Sequence, residues 1–342
     1  MSATKQPPRI LKLDDRGLYC PRGGFHVDPW QPVEVALLTH AHSDHAREGN
    51  AVSFCTRESM PILRQRLGPD AKLQPVEYGQ KIKLRDATVS FHPAGHILGS
   101  AQVRVEVDGC VWVVSGDYKR AHDPTCAPFE VVPCDVFITE ATFALPIYRW
   151  DSGHETAKQV LSWWDENIVA KRPSVLFCYS LGKAQRLLAE LYQLDAKRQV
   201  YLHGATTNIT RIYREQGIDM LAAEYVGDAA KRGESFAGEL ILAPPSAFNS
   251  SWMKRFKGAS SGFASGWMRV RGTRRRKGYD RGFVLSDHAD WYELMQTVRD
   301  TGATTVLPTH GSTDTFARYL NEIGVASSAL ELHARAYGEG ED

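Results

Sequence analysis

Residues 39–46 read THAHSDHA, three histidines and an aspartate in eight positions, directly after the apolar run EVALL (34–38). Imidazole nitrogens and carboxylate oxygens with no thiolate nearby suit zinc, manganese or iron. Three later segments also place His or Asp at the end of an apolar run: FHPAGH with His96, VVSGD with Asp117 and VLPTHGS with His310. The set His40, His42, Asp44, His45, His96, Asp117 and His310 exceeds the four ligands of one tetrahedral ion. Two ions sharing a carboxylate would use it fully, and a pair about 3.5–4 Å apart is the usual arrangement for phosphoester hydrolysis. His40 and His42, two residues apart at a strand end, can face one ion. Asp44 and His45 begin the next turn and can reach another.

Neither a single structural zinc nor chance fits as well. A structural zinc is normally closed by four ligands and enriched in cysteine. Isolated histidines such as His26, His92, His122, His154, His203 and His333 read as surface or packed residues. The coincidence of one dense cluster with three matched downstream segments is different in kind.

The elements that must carry these residues fall into two rhythms. The first third is β-rich: QVRVEV (102–107) alternates, Asp108-Gly109 supplies a type I′ turn, and CVWVV (110–114) returns. KIKLRDATVSFHP (81–93) reads as two further short strands. After about residue 145 strands alternate with helices. Ser152 and Glu155 have capping-box spacing ahead of a helix with apolar Val160, Leu161, Trp164 and Ile168. SVLFCYS, then the helix 182–194, QVYLH, a helix ending near Gly217, and ELILAPP follow, which predicts βαβ units on a parallel sheet. GFVLSDHAD and TTVLPTHGS return to the strand-plus-ligand pattern.

Bulk properties bound the reading. The 342 residues suit one large or two moderate domains, with ordinary hydrophobic (43%) and charged (24%) content. A net charge of +1 gives no global basic field, so any polyanion site must be local. The six cysteines lack a C-x-x-C pair, which predicts reduced thiols in a cytoplasmic protein. No N-terminal apolar segment and no long uncharged apolar stretch is present, which argues against secretion and membrane spanning.

HAHSDH, PAGH, SGD and PTHG, in this order, resemble the motifs of the metallo-β-lactamase fold. The resemblance implies a four-layer αβ/βα sandwich in which His40, His42 and His96 bind one metal, Asp44, His45 and His310 the other, and Asp117 bridges. Asp28 in FHVDPW matches an upstream aspartate that orients ligands. Glu140 in VFITEATF and His288 in LSDHAD flank a long strand–helix segment, a layout similar to the β-CASP nucleases. The implied domains are 1–145 and 281–342 for the sandwich and 146–280 for an inserted α/β β-CASP domain. FITEATFALPIYRW, YSLGKAQRLL and SGDYKR resemble the bacterial ligase-associated DNA exonucleases, although Ala144 stands where that group carries glycine.

The resemblance implies a two-metal DNA exonuclease acting 5′ to 3′ in DNA repair, with zinc first and manganese or iron as alternatives. A DNA ligase and a helicase would be functional neighbours. An RNA-processing nuclease is the main alternative, because RNA-processing relatives carry histidine at the position of His310. A non-catalytic nucleic-acid-binding subunit is the third, and a small-molecule hydrolase, which lacks such an insert, the fourth. Asp44, Asp117, His288 and Glu140 are the candidate catalytic residues: His288 to contact the scissile phosphate or protonate the leaving oxygen, Glu140 to orient a histidine. Ser180 and Lys183 at a helix start could hold a phosphate. Arg274, Arg275, Arg276 and Lys277, within the basic strip 269–281, could track a nucleic-acid backbone. Trp267, Tyr279 and Trp291 could stack bases, with core packing the simpler role.

Overall fold

The computed structural model describes residues 7–270 and 278–330. The positions Arg274, Arg275, Arg276, Lys277 and His333 lie outside the described residues. The described residues form two units, one made of residues 7–122, 126–146 and 288–330, the other of residues 123–125, 147–270 and 278–287.

The first unit is a sandwich of two sheets. One is six-stranded, in the order β1 (Lys12–Asp14), β2 (Gly17–Cys20), β3 (Phe25–Val27), β4 (Val35–Leu37), β5 (Val52–Thr56), β6 (Leu73–Val76). The other is seven-stranded: β19 (Ala326–Ser327), β18 (Thr305–Gly311), β11 (Val136–Ala141), β10 (Cys110–Val114), β9 (Ala101–Val107), β8 (Ala87–Pro93), β7 (Ile82–Leu84). Alternation sends Phe91, Val103, Val105 and Trp112 inward to meet Phe25, Val27 and Leu37 of the first sheet. The opposite face of the second sheet, with Val113, Phe137 and Val306, buries Leu294, Val298, Phe316 and Leu320. Those residues come from helices Trp291–Thr301 and Thr313–Glu322 (α6 and α7 below), while α1 (Met60–Leu67) carries buried Ile62 and Leu63 beside the first sheet. The result is the four-layer sandwich expected.

The hairpin at 101–114 forms in the predicted register, with Val107 opposite Cys110 and both turn residues at positive φ (Asp108 +50°, Gly109 +79°).

The second unit holds an all-parallel six-stranded sheet: β14 (Ala222–Tyr225), β13 (Gln199–Leu202), β15 (Leu240–Ala243), β12 (Ser174–Phe177), β16 (Ser260–Ala264), β17 (Arg281–Phe283). Its helices are α2 (Gly153–Val169), α3 (Lys183–Leu194), α4 (Gly204–Glu215) and α5 (Val226–Lys231). Ser152 caps α2 by accepting from the Glu155 N–H at 3.2 Å, but the Glu155 carboxylate pairs with Lys158 instead of closing the capping box. Trp163, unmarked in the sequence, is the ring α2 buries most deeply, against Phe283 and with its indole N–H on Ser260. Because β17 pairs with β16, this unit extends to Asp287, where the sequence boundary stands at 280/281. Among the described residues no helix is long and apolar enough to cross a membrane, and the six cysteines are free thiols.

Candidate metal centre

Each cluster residue sits just past, or at the end of, a strand. β4 delivers residues 39–46, β8 the loop to His96, β10 Asp117, β11 Glu140 and β18 His310. A main-chain bond from Ala101 N–H to Thr39 C=O, 2.8 Å, ties the two sheets together at this edge. Glycines let the loops close up. A side chain at Gly116 would meet Thr39 at 2.7 Å, and one at Gly95 would meet the Lys119 carbonyl at 2.3 Å; both glycines have positive φ. His310 itself adopts φ +58°, a left-handed conformation a histidine holds only when its surroundings impose it.

The residues converge on two adjoining groups. His40, His42, His96 and Asp117 offer donor atoms that lie mutually within 4.8 Å, and so do His45, Asp117 and His310. His42 Nδ1 is 3.1 Å from both His40 Nε2 and His96 Nε2. Asp117 Oδ2 lies 3.5 Å from His40 Nε2, 3.6 Å from His45 Nε2 and 3.7 Å from His96 Nε2, so it faces both groups. Asp44 Oδ2 is 3.6 Å from His45 Nε2, and the His45 and His310 rings stack at 5.3 Å. A tetrahedral ion with bonds of about 2.0–2.1 Å spaces its donors by about 3.3 Å, close to these separations.

Hydrogen bonding fixes which nitrogens face inward. Asp28 Oδ2 accepts from the Thr39 hydroxyl (2.6 Å) and from His45 Nδ1 (2.8 Å), while its Oδ1 accepts the Thr39 N–H (2.8 Å). With the Thr39 proton committed to Asp28, its oxygen accepts from His40 Nδ1 at 3.0 Å. His40, and His45 once its Nε2 proton is displaced, then present Nε2 lone pairs to the centre, the tautomer a metal requires. Electrostatics favour the neutral ring at His40 and His310. Burial and the surrounding histidines hold His40 well below its ordinary pKa. Burial and His45 bring His310 down to about 3. Burial pushes Asp117 up to about 7. Burial also works against the charged form of His45, but Asp44, Asp117 and Asp28 outweigh it and raise the group to about 10. Several inward lone pairs packed this closely in a buried pocket would be costly without a cation to share, so the donor set fits metal.

A third group joins Asp117 to Glu140 and His288. Glu140 is buried; its Oε1 accepts the Tyr118 N–H at 2.8 Å and its Oε2 meets His288 Nδ1 at 2.8 Å. The His288 ring stands 4.8 Å from that of His96 and retains some exposure.

Other expected residues lie elsewhere. Ser180 is buried and its Oγ accepts from Thr206. Lys183, expected to reach a phosphate, is 3% exposed, with its ammonium 2.8 Å from Asp287 and over the Tyr179 ring. A lysine already neutralised in the interior cannot hold an external anion, so that expectation is corrected. Trp291 packs in the core of the first unit, and Tyr279 is wedged among Phe177, Phe248 and Phe263. His92 bonds to Ser90 and Glu130, outside the cluster, and is structural as expected. Sequence reasoning missed Thr39, whose only signal is its place just before the first ligand; its partner Asp28 is brought to it by the parallel pairing of β3 with β4.

No protein-family model matches the chain. It is similar to a probable DNA ligase of Opitutus terrae, 31% identical over 317 residues, which is 92% of this chain and 30% of that protein. It is also similar to endoribonuclease YSH1 of Gibberella zeae, 27% identical over 259 residues, covering 68% of this chain and 29% of that one. Ribonuclease TTHA0252 of Thermus thermophilus is 27% identical over 199 residues, 49% of this chain and 44% of the relative. The chain therefore spans less than half the length of each of these three. In three dimensions it resembles a crystal structure of a protein of unknown function from Enterococcus faecalis, with a TM-score of 0.60, 12% identity, and coverage of 87% of this chain and 79% of the other.

Proposed function

Given that the chain belongs to the metallo-β-lactamase/β-CASP nuclease family, we propose that it hydrolyses phosphodiester bonds in DNA as a two-metal exonuclease. The observation that carries the hydrolytic reading is the pair of donor groups meeting at Asp117, with Glu140 and His288 beside them. In this reading His40, His42 and His96 hold one ion, Asp44, His45 and His310 the other, and Asp117 lies between. Two divalent ions held there would supply positive charge opposite the phosphate oxygens and lower the pKa of a water for attack. Zinc suits the donors best, with manganese or iron accommodated.

The protein's own groups do the rest. Asp28 and Thr39 lock the ring orientations of His40 and His45. Glu140 holds His288 by Nδ1, which leaves Nε2 as the nitrogen able to donate to a phosphate oxygen or to the leaving oxygen.

DNA ranks first because the similarity to the DNA ligase relative runs over 92% of this chain, against 68% and 49% for the two ribonucleases. The same similarity supports functional association with a DNA ligase. The ribonuclease relatives and His310 favour RNA as the second reading. Digestion of matched DNA and RNA oligomers, labelled at either end, across zinc, manganese and iron decides the matter, with Asp117→Ala as control. Preferential loss of DNA from the 5′ end is expected. Preferential cleavage of RNA would reverse the order, and full activity in Asp117→Ala would remove the metal centre from the reaction.

A further inference from the structure

Charge is distributed unevenly in this nearly neutral chain. Residues 240–279 contain nine Lys or Arg and no Asp or Glu, a net +9 where the whole chain carries +1. The described part of this stretch exposes Lys254, Arg255, Lys257 and Arg269. Among the described residues none of the four has a carboxylate partner. Some exposed cations elsewhere do: Arg57 pairs with Glu77, Arg211 with Glu215, Arg232 with Glu224 and Glu234, and Arg318 with Glu322. Lys254, Arg255 and Lys257, three exposed cations within four positions of a stretch that has no acid to offset them, mark a place for an external anion.

An aromatic ring lies against one of them, Arg255. Ser251–Arg255 is a 3₁₀ turn, whose period of three sets Trp252 and Arg255 on one side. The guanidinium lies 5.5 Å from the partly exposed Trp252 ring, and its Nε donates to the Trp252 carbonyl at 3.1 Å. Phe256 and His203 brace the indole edge-on at 4.8 and 4.9 Å, so the ring is held rigidly. His203 directly follows β13, which places Trp252 at the carboxyl edge of the parallel sheet. That sheet reverses its winding here: the chain leaves β12 toward β13 and leaves the adjacent β15 toward β16 on the other side. The carboxyl edge at such a reversal is where open α/β sheets bind ligands.

We infer that residues 250–257 form a contact for single-stranded nucleic acid within the inserted unit, made by residues that are not metal ligands. Trp252 and Arg255 stack on an unpaired base, and Lys254 and Lys257 neutralise neighbouring phosphates. Single strands fit because stacking needs a base face that a duplex conceals. The inference rests on the nuclease reading and names part of the track its substrate follows.

Anisotropy titration of a labelled single-stranded oligomer with the full-length Asp117→Ala protein, which binds without cutting, tests it. Adding Lys254→Gln, Arg255→Gln and Lys257→Gln together should weaken binding about tenfold or more and reduce the slope of log K against log salt by about 1.4, roughly 0.7 for each of the two phosphates. Trp252→Leu should weaken it about 5- to 50-fold with the slope unchanged. Arg318→Gln, an exposed cation in the other unit, is the control and should change neither. Circular dichroism verifies folding, and if Trp252→Leu unfolds, the triple glutamine variant decides. If the Asp117→Ala protein binds but the triple variant binds equally well, the contact is refuted while the nuclease reading stands. If the unaltered chain neither binds nor cleaves any oligomer, both fall together.

Discussion

Glu140 Oε2 lies 2.8 Å from His288 Nδ1, while Oε1 of the same carboxylate accepts the Tyr118 N–H, next in sequence to Asp117. One buried side chain thus aligns the histidine and anchors the backbone beside the shared aspartate. Glu140→Gln should keep the Tyr118 bond through its remaining oxygen but lose the charged partner of His288. We expect kcat to fall about 10- to 100-fold with metal content unchanged. His288→Ala should cost about 100-fold or more. Steady-state kinetics with elemental analysis on the same samples check both, and a His288→Ala enzyme with full kcat would exclude this histidine from the chemistry.

Asp28 accepts from Thr39 and His45 through a single oxygen. Asp28→Asn must either turn its amide toward them, where it cannot accept, or turn its carbonyl there and set its amide against the Thr39 N–H, so the network is broken either way. Metal affinity should drop about 10- to 100-fold with little change in far-UV circular dichroism. Competition against a chelating dye measures it, and an unaltered dissociation constant would mean that Asp28 only packs.

Protonation should oppose metal uptake. In the metal-free site His45 titrates at about 10 and Asp117 at about 7, so at neutral pH His45 holds a proton and Asp117 holds a fraction of one. Metal ligation needs both deprotonated. Affinity should therefore climb as pH rises from about 6 toward 9, and loading at pH 7 should release about one to two protons. Calorimetric titration in two buffers of different ionisation enthalpy counts them. An observed enthalpy independent of buffer would contradict the assignment.

The strand-end histidines and aspartates were legible from sequence because residue type, spacing and the preceding apolar runs are all local signals. The hairpin at Asp108-Gly109 was legible for the same reason. What stayed hidden depends on tertiary contact. Thr39 matters only because β3 brings Asp28 beside it, and the left-handed His310 is invisible until its loop meets Ala141, whose carbonyl a Gly311 side chain would strike at 2.4 Å. Lys183 misled in the opposite direction. A lysine at a helix start resembles a phosphate ligand until Asp287, 104 positions later, is found against it.

Gly95→Ala tests how tightly a ligand loop is set. The new methyl would lie 2.3 Å from the Lys119 carbonyl at a φ of +72°, where alanine is already strained. His96 follows directly, so the clash should move a ligand. We expect weaker metal binding and a lower thermal midpoint, the latter partly restored by saturating metal. Equal midpoints for variant and parent, with and without metal, would show that the loop yields freely.

The Lys183–Asp287 pair should prove structural. Both side chains are at least 96% buried, and Arg186, 3.8 Å from Asp287, offers only partial compensation if Lys183 is removed. Lys183→Met should therefore destabilise the protein by about 3 kcal/mol, because it takes from a buried carboxylate the ammonium it pairs with at 2.8 Å. Removing both charges with Lys183→Met and Asp287→Leu should recover part of that loss, since the desolvation of the pair disappears too. Urea unfolding of the single and double variants gives the coupling directly. A phosphate-binding lysine behaves differently: Lys183→Met would then leave stability alone and raise KM for oligonucleotide. That pattern would reinstate the role its position at a helix start suggests.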